Sequence, residues 1–191
     1  MSRYTRILST ALVSGAVLVG ASTQAVAARP APTIPDVAPE TMAGQPLQWD
    51  LGNYPLTPTV SGAQVCDPAN EGATATLMGR QWTYYDGSND LDQLSADLTV
   101  TLWKNARNAL QDVATDGGVC SLIEGWAPTT WEGTNPRTHL LLTDGDSYAA
   151  VVAQGKYVVS VVIRDWSGDA ATPEEAREAA IAGVEDTLDN F

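Results

Sequence analysis

Residues Arg137–Trp166 read RTHLLLTDGDSYAAVVAQGKYVVSVVIRDW, and the fold follows from how this run is punctuated. Asp144-Gly145 and Gln154-Gly155 are turn dipeptides, because glycine reaches positive φ without steric cost and Asp bonds its own backbone. They divide the run into three strands, Arg137 to Thr143, Asp146 to Ala153 and Lys156 to Trp166. Side chains alternate across a strand. Pairing through the turns therefore predicts one face made of Tyr157, Val159 and Val161, of Val152, Ala150 and Tyr148, and of Arg137, His139 and Leu141. The other face mixes Val158, Ser160 and Val162 with Thr138, Leu140 and Leu142. That is too apolar for a fully solvated face, which predicts partial cover, by the proline-rich segment near the N-terminus.

Upstream, Gly79–Asp86 (GRQWTYYD) is aromatic, lies between Gly79 and Gly87, and reads as a strand. Leu94, Ala96, Leu98, Val100 and Leu102 alternate with Ser95, Asp97, Thr99 and Thr101, the period of a half-buried strand. Ala106, Ala109, Leu110 and Val113 then recur at helical spacing, and Asp116-Gly117-Gly118 ends that helix. Downstream, Thr172-Pro173-Glu174-Glu175 combines an N-cap, a proline at the first helical position and a capping-box glutamate. Ala176, Ala180, Val184 and Leu188 follow as one stripe, with Gly183 beside it to allow close approach to a sheet. The expected class is α+β: an antiparallel sheet of about five strands, ending in a meander, packed with two helices, one of them C-terminal.

Residues 1–27 read as a secretory signal peptide. Arg3 and Arg6 precede an apolar stretch from Ile7 to Ala21, and Ala25-Val26-Ala27 supplies the small residues of a cleavage site. The stretch is shorter than the roughly 20 residues that span a bilayer. Leu18-Val19-Gly20-Ala21 has alanine where a lipoprotein would carry its lipidated cysteine, so a soluble secreted product, not a lipoprotein, is expected. Residues 28–44 read as a proline-rich flexible linker, and residues 45–191 as a single secreted domain. Seven of eleven prolines fall between Arg29 and Pro58, where each removes a backbone donor. Trp49, Leu51 and Tyr54 suggest that the later part of this stretch lies against the domain. Cys66 and Cys120 are the two cysteines. Export favours an intramolecular disulfide between them, against two buried thiols or a bridge between chains. Closing that loop is worth about 4 kcal/mol in the chain-entropy picture.

The 191 residues carry 23 Asp and Glu against 10 Lys and Arg, a formal net charge of −13. Cleavage after Ala27 removes two arginines and leaves 23 acids against 8 bases, or −15. Such a surface disfavours nucleic acid and anionic membranes, both of which are bound by cations. His139 is the only histidine and reads as a packing residue at the edge of the core. Nucleophile triads need a base of that kind beside a nucleophile, and zinc sites need several such ligands. Paired carboxylates such as Asp144 and Asp146 would serve a hydrolase, but they also suit a turn. Asp86, Ser88, Asp90 and Asp92 alternate as calcium ligands do. Leu91 occupies the EF-hand glycine position, and a solvated loop explains the same residues. No other cofactor is expected.

Six Trp and six Tyr stand beside one Phe. These are rings with a polar handle, able to stack on sugar faces or anchor partners. Trp126, Trp131, Tyr84 and Tyr85 are the candidate ligand-binding residues, with Tyr84 and Tyr85 on opposite faces of their strand. The succession of the Leu94–Leu102 strand, an alanine-containing helix, Cys120 and Gly125-Trp126 is followed by a hairpin ending in Gly155-Lys156-Tyr157-Val158-Val159-Ser160-Val161 and by a terminal helix. This order resembles the extracellular sensor-type domain of actinobacterial serine/threonine kinases and related small exported proteins and lipoproteins. The resemblance implies an antiparallel sheet flanked by helices, a ligand cleft and no catalysis. The chain departs from it in having one cysteine pair instead of two, and neither a kinase nor a membrane span. The expectation is a secreted, non-enzymatic, sensor-like binding domain in the extracellular or cell-wall space, taking a small molecule, a saccharide or an extracellular protein. The alternatives are a hydrolase using paired carboxylates and a calcium-dependent adhesion or structural module.

Overall fold

The computed structural model describes residues 32–54, 76–87, 94–103 and 127–191. Within them lie eight strands: β1 Thr41–Met42, β2 Gln45–Tyr54, β3 Thr76–Tyr84, β4 Leu94–Trp103, β5 Ala127–Thr129, β6 His139–Thr143, β7 Tyr148–Gln154 and β8 Tyr157–Asp165. One helix follows, α1, Pro173–Asp189. The strands form one antiparallel sheet in the order β1-β2-β3-β4-β8-β7-β6-β5. The sheet is larger than the five strands expected, because β1, β2 and β5 lack the alternation that marks a half-buried strand. β1 is two residues long, β5 is exposed and contains Pro128, and most of β2 is exposed. Among the described residues α1 is the one helix, while the helix expected around Ala106–Val113 lies outside them.

The meander keeps the predicted faces, but each hairpin pairs two residues away from the predicted register. His139 and Val159, expected across from Ala150, both stand across from Val152, while Leu141, Ala150 and Val161 form the next row. Gln154 pairs with Tyr157, so Gly155-Lys156 rather than Gln154-Gly155 closes the second hairpin. At β6 two details differ. Arg137 sits in the turn before β6 rather than in the strand. Thr143 pairs with Tyr148, so four residues rather than two close the β6–β7 loop. The side chains explain the longer loop: Asp144 Oδ1 accepts from Asp146 N and Ser147 N, and Thr143 Oγ1 accepts from Gly145 N and donates to Ser147 O.

The main core lies between this face and α1. Trp82 of β3, Leu98 and Val100 of β4, Val159 and Val161 of β8 and Leu141 of β6 pack there with Ala176, Ala180 and Val184 of the helix. The capping box forms as predicted, with Glu175 N donating to Thr172 Oγ1 and Thr172 N to Glu175 Oε2. A Cβ on Gly183 would stand 3.1 Å from Val161 and 3.2 Å from the Met42 sulfur, so the glycine sets how closely α1 approaches the sheet.

Residues 32–40, read above as linker, pack on the same side as α1. Ile34 and Val37 are buried in the main core. Their spacing of three is the period of a polyproline-II turn, and the ladder hydrogen bonds that prolines preclude are replaced by side-chain donors. Asn53 Nδ2 and Arg80 Nη1 donate to Ile34 O, Asn190 Nδ2 to Val37 O and the Tyr84 hydroxyl to Pro39 O. Arg80 also forms ion pairs with Asp36 and Asp50, and its guanidinium lies 4.7 Å above the Trp82 ring. The described fold therefore begins at Pro32 rather than Gln45, and the proline-rich strap covers the helix side of the sheet, opposite to the side expected.

Strand β4, expected to be half-buried, is buried on both sides. Thr99 and Thr101 face away from α1, yet neither is accessible. On that second side Trp103, Val151 and Val158 form one apolar cluster and Leu142, Ala149 and Val162 another.

Candidate functional site

Burial on the second face falls toward the end of the sheet where β3 finishes and β4 begins. Thr99 is buried, Asp97 is at the margin and Ser95 is half-buried. In register, Trp49 of β2 stands beside Thr83 of β3, Thr83 beside Asp97 of β4, and Ser95 beside Arg164 of β8. Tyr85 follows Tyr84, whose partner is Ala96, so the chain carries it toward Ser95. Two aromatic groups flank a polar strip in this arrangement.

Each member of the strip is held by a hydrogen bond. Thr83 Oγ1 donates to Asp97 Oδ1 at 2.8 Å, and Arg164 Nη1 donates to Asp97 Oδ2. The Arg164 guanidinium lies 5.8 Å from the Trp166 ring centre, and Trp166 Nε1 donates to Ser95 Oγ at 3.0 Å. On the other flank Trp49 and Tyr85 pack at 5.1 Å between ring centres with a tilt of 54°. The rings are held and yet open to solvent: Trp49 is 53% exposed, Trp166 64% and the neighbouring Leu51 64%. Asp97 neutralises Arg164, and a paired carboxylate and guanidinium keep spare acceptor and donor positions. Fixed aromatic faces beside fixed polar groups suit recognition of a molecule that is apolar on its face and polar at its edge.

Trp49 and Leu51, expected to lie against the domain, are thus among its most exposed apolar residues, and only Tyr54 of that group is half-buried. Of the four aromatic candidates, Tyr85 alone belongs to this site among the described residues. Tyr84 faces the core and is fully buried, its hydroxyl committed to Pro39 O. It is a packing residue, because the strand parity that turns the half-buried Tyr85 to the second face points Tyr84 inward. Trp131 packs against the main core and meets His139 edge-on at 5.1 Å. His139 is half-buried, with Nδ1 2.9 Å from Thr138 Oγ1, in keeping with a packing role. Trp126 lies outside the described residues, as do Cys66 and Cys120.

Asp86 is exposed, and its companions in the calcium reading, Ser88, Asp90 and Asp92, lie outside the described residues. Among those described, no three His, Cys, Asp or Glu side chains gather as a metal site would require. Asp144 is engaged in the β6–β7 turn. Asp165 ends β8 by accepting hydrogen bonds from Ser167, Gly168 and Ala171. Burial acts to raise its pKa, but these bonds outweigh burial and hold the carboxyl below the usual range.

Sequence reasoning missed Trp49, Thr83, Ser95, Asp97, Arg164 and Trp166. The strand alternation already placed Ser95 and Asp97 on one face, and Arg164 on the non-core face of β8. What it lacked was the β4–β8 pairing that brings Asp97 to Arg164 across 67 positions of chain. Among the described residues no helix is long and apolar enough to cross a membrane. Compared with known proteins, the chain matches no family model, and no curated protein matches it significantly.

Proposed function

We propose that this chain is a secreted, non-enzymatic binding domain that works in the extracellular or cell-wall space and takes its ligand at the aromatic end of the second face. One observation carries the reading: Trp49 and Trp166 are more than half exposed, yet each is fixed by a partner, Tyr85 or the Ser95 hydroxyl. Large apolar rings exposed to water and held in place are the usual anchors of a binding surface, since little conformational entropy remains to be lost on contact. The signal-like N-terminus supports the location. The resemblance to sensor-type domains supports a role in recognition, and the polar residues of the site bond one another rather than stand poised as acid and base.

The test uses the exported chain, Ala28–Phe191, and insoluble cell-wall material as the matrix. The chain is retained, and the variants Trp49→Ala and Trp166→Ala lose affinity by an order of magnitude or more while melting at an unchanged temperature. Equal retention of both variants, or turnover of the matrix by the wild-type chain, overturns the reading.

A further inference from the structure

We infer that the ligand of the aromatic site is an uncharged saccharide chain, an inference that rests on the binding reading above. Among the described residues the polar strip holds one carboxylate and one guanidinium, Asp97 and Arg164, and they are bonded to each other. An anionic ligand needs an uncommitted cation. The described residues contain five Lys and Arg side chains. Arg164, the one at the site, is spent on Asp97. Arg80 is paired with Asp36 and Asp50 on the helix side, Arg177 pairs with Glu174 on α1, Arg137 precedes β6, and Lys156 occupies the turn at the opposite end of β8. The formal charge of −13 adds long-range repulsion against polyanions. A cationic ligand, in turn, meets Arg164 stacked on Trp166.

A ligand without charge fits what is left. The exposed faces of Trp49 and Trp166 offer stacking surface, and the C–H faces of a pyranose ring are apolar enough to use it. Between the rings, Thr83, Ser95, Asp97 and Arg164 form a fixed row of hydroxyl, carboxylate and guanidinium groups, which by their chemistry offer both acceptors and donors. Sugar hydroxyls can use both kinds. An apolar protein patch would instead strip water from Asp97 and Arg164 without replacing it, which costs free energy. The two aromatic flanks rise from β2 and from the end of β8, whose backbones are three strand intervals apart, or about 14 Å at the usual strand spacing. A chain of sugar units can span from one flank to the other, where a single sugar would engage one.

The experiment titrates the exported chain with hexasaccharides of matched length, following tryptophan fluorescence and melting temperature. The probes are cellohexaose and mannohexaose (neutral), hexagalacturonate (anionic) and the chitosan hexamer (cationic). The expected result is that a neutral hexamer changes the fluorescence and raises the melting temperature. Its affinity falls at least tenfold in Trp166→Ala and in Trp49→Ala, and the matching monosaccharide is without effect. Binding of hexagalacturonate or the chitosan hexamer at least as tightly as the neutral hexamers, with the same dependence on Trp166, overturns the inference and leaves the binding site standing. No response to either neutral hexamer at millimolar concentration also overturns it, and retention on cell-wall material then judges the site separately. Neutral hexamers that bind both tryptophan variants as well as the wild type overturn the inference and the site together.

Discussion

Tyr84 brings a phenol into the core and satisfies it with a single bond to Pro39 O at 3.0 Å. Burial pushes its pKa up, and the charges of Asp36 and Asp50 add to the effect. The neutral phenol is therefore what the fold requires. Tyr84→Phe keeps the ring and removes the bond, leaving the Pro39 carbonyl without that donor. The expected cost is about 1 kcal/mol, read as a lower urea midpoint with an unchanged slope. At this scale the sequence was half legible. Parity correctly set Tyr84 and Tyr85 on opposite faces, but it could not say which face belonged to the core, because an aromatic pair looks alike from either side. Trp49 and Trp166 were opaque for another reason. An exposed tryptophan and a buried one are the same letter, and only the tertiary neighbours Tyr85, Ser95 and Arg164 distinguish them.

Between α1 and the sheet the spacing is fixed by small side chains. Ala176 and Ala180 are buried with Gly183, and Met42 of β1 fills the space beside them. Gly183→Val would drive methyl groups into Val161 and Met42. Overpacking of this kind costs about 1–3 kcal/mol, a loss that chemical denaturation reads directly. The terminal helix and the faces of the three-stranded meander were legible, since capping residues and alternation point the same way, whereas the turn dipeptides placed both hairpins two residues out of register. The strap was not. Proline marks a segment without ladder hydrogen bonds, and such a segment looks like a linker until its carbonyls are seen to accept from Asn53, Arg80, Tyr84 and Asn190. β4 misled through its composition: Asp97, Thr99 and Thr101 suggested water where the fold provides burial.

As a whole the molecule is acidic, and its acid stability rests on carboxylates that the fold keeps ionised. The bonds from Arg80 hold Asp50 below the usual carboxylate range, against the opposing effect of burial, and Asp165 is lowered by its turn. A carboxyl whose folded pKa is depressed contributes stability above its unfolded value, near 3.8, and loses it as the pH falls through the folded value. Urea midpoints are therefore expected to hold from neutral pH down to about 4 and then to drop, with Asp50→Asn and Asp165→Asn each flattening that acid limb. The arrangement of the sheet has a second outcome. β8 lies at its centre beside β4, and the side chain of Asn190 closes on Val37 across 153 positions. A ribosome or an export channel delivering this chain from its N-terminal end would release the strap first and its partner almost last. Until then the central strand has no neighbour on one side, and any truncated product ending before β8 would remain a substrate for proteases and chaperones rather than a smaller domain.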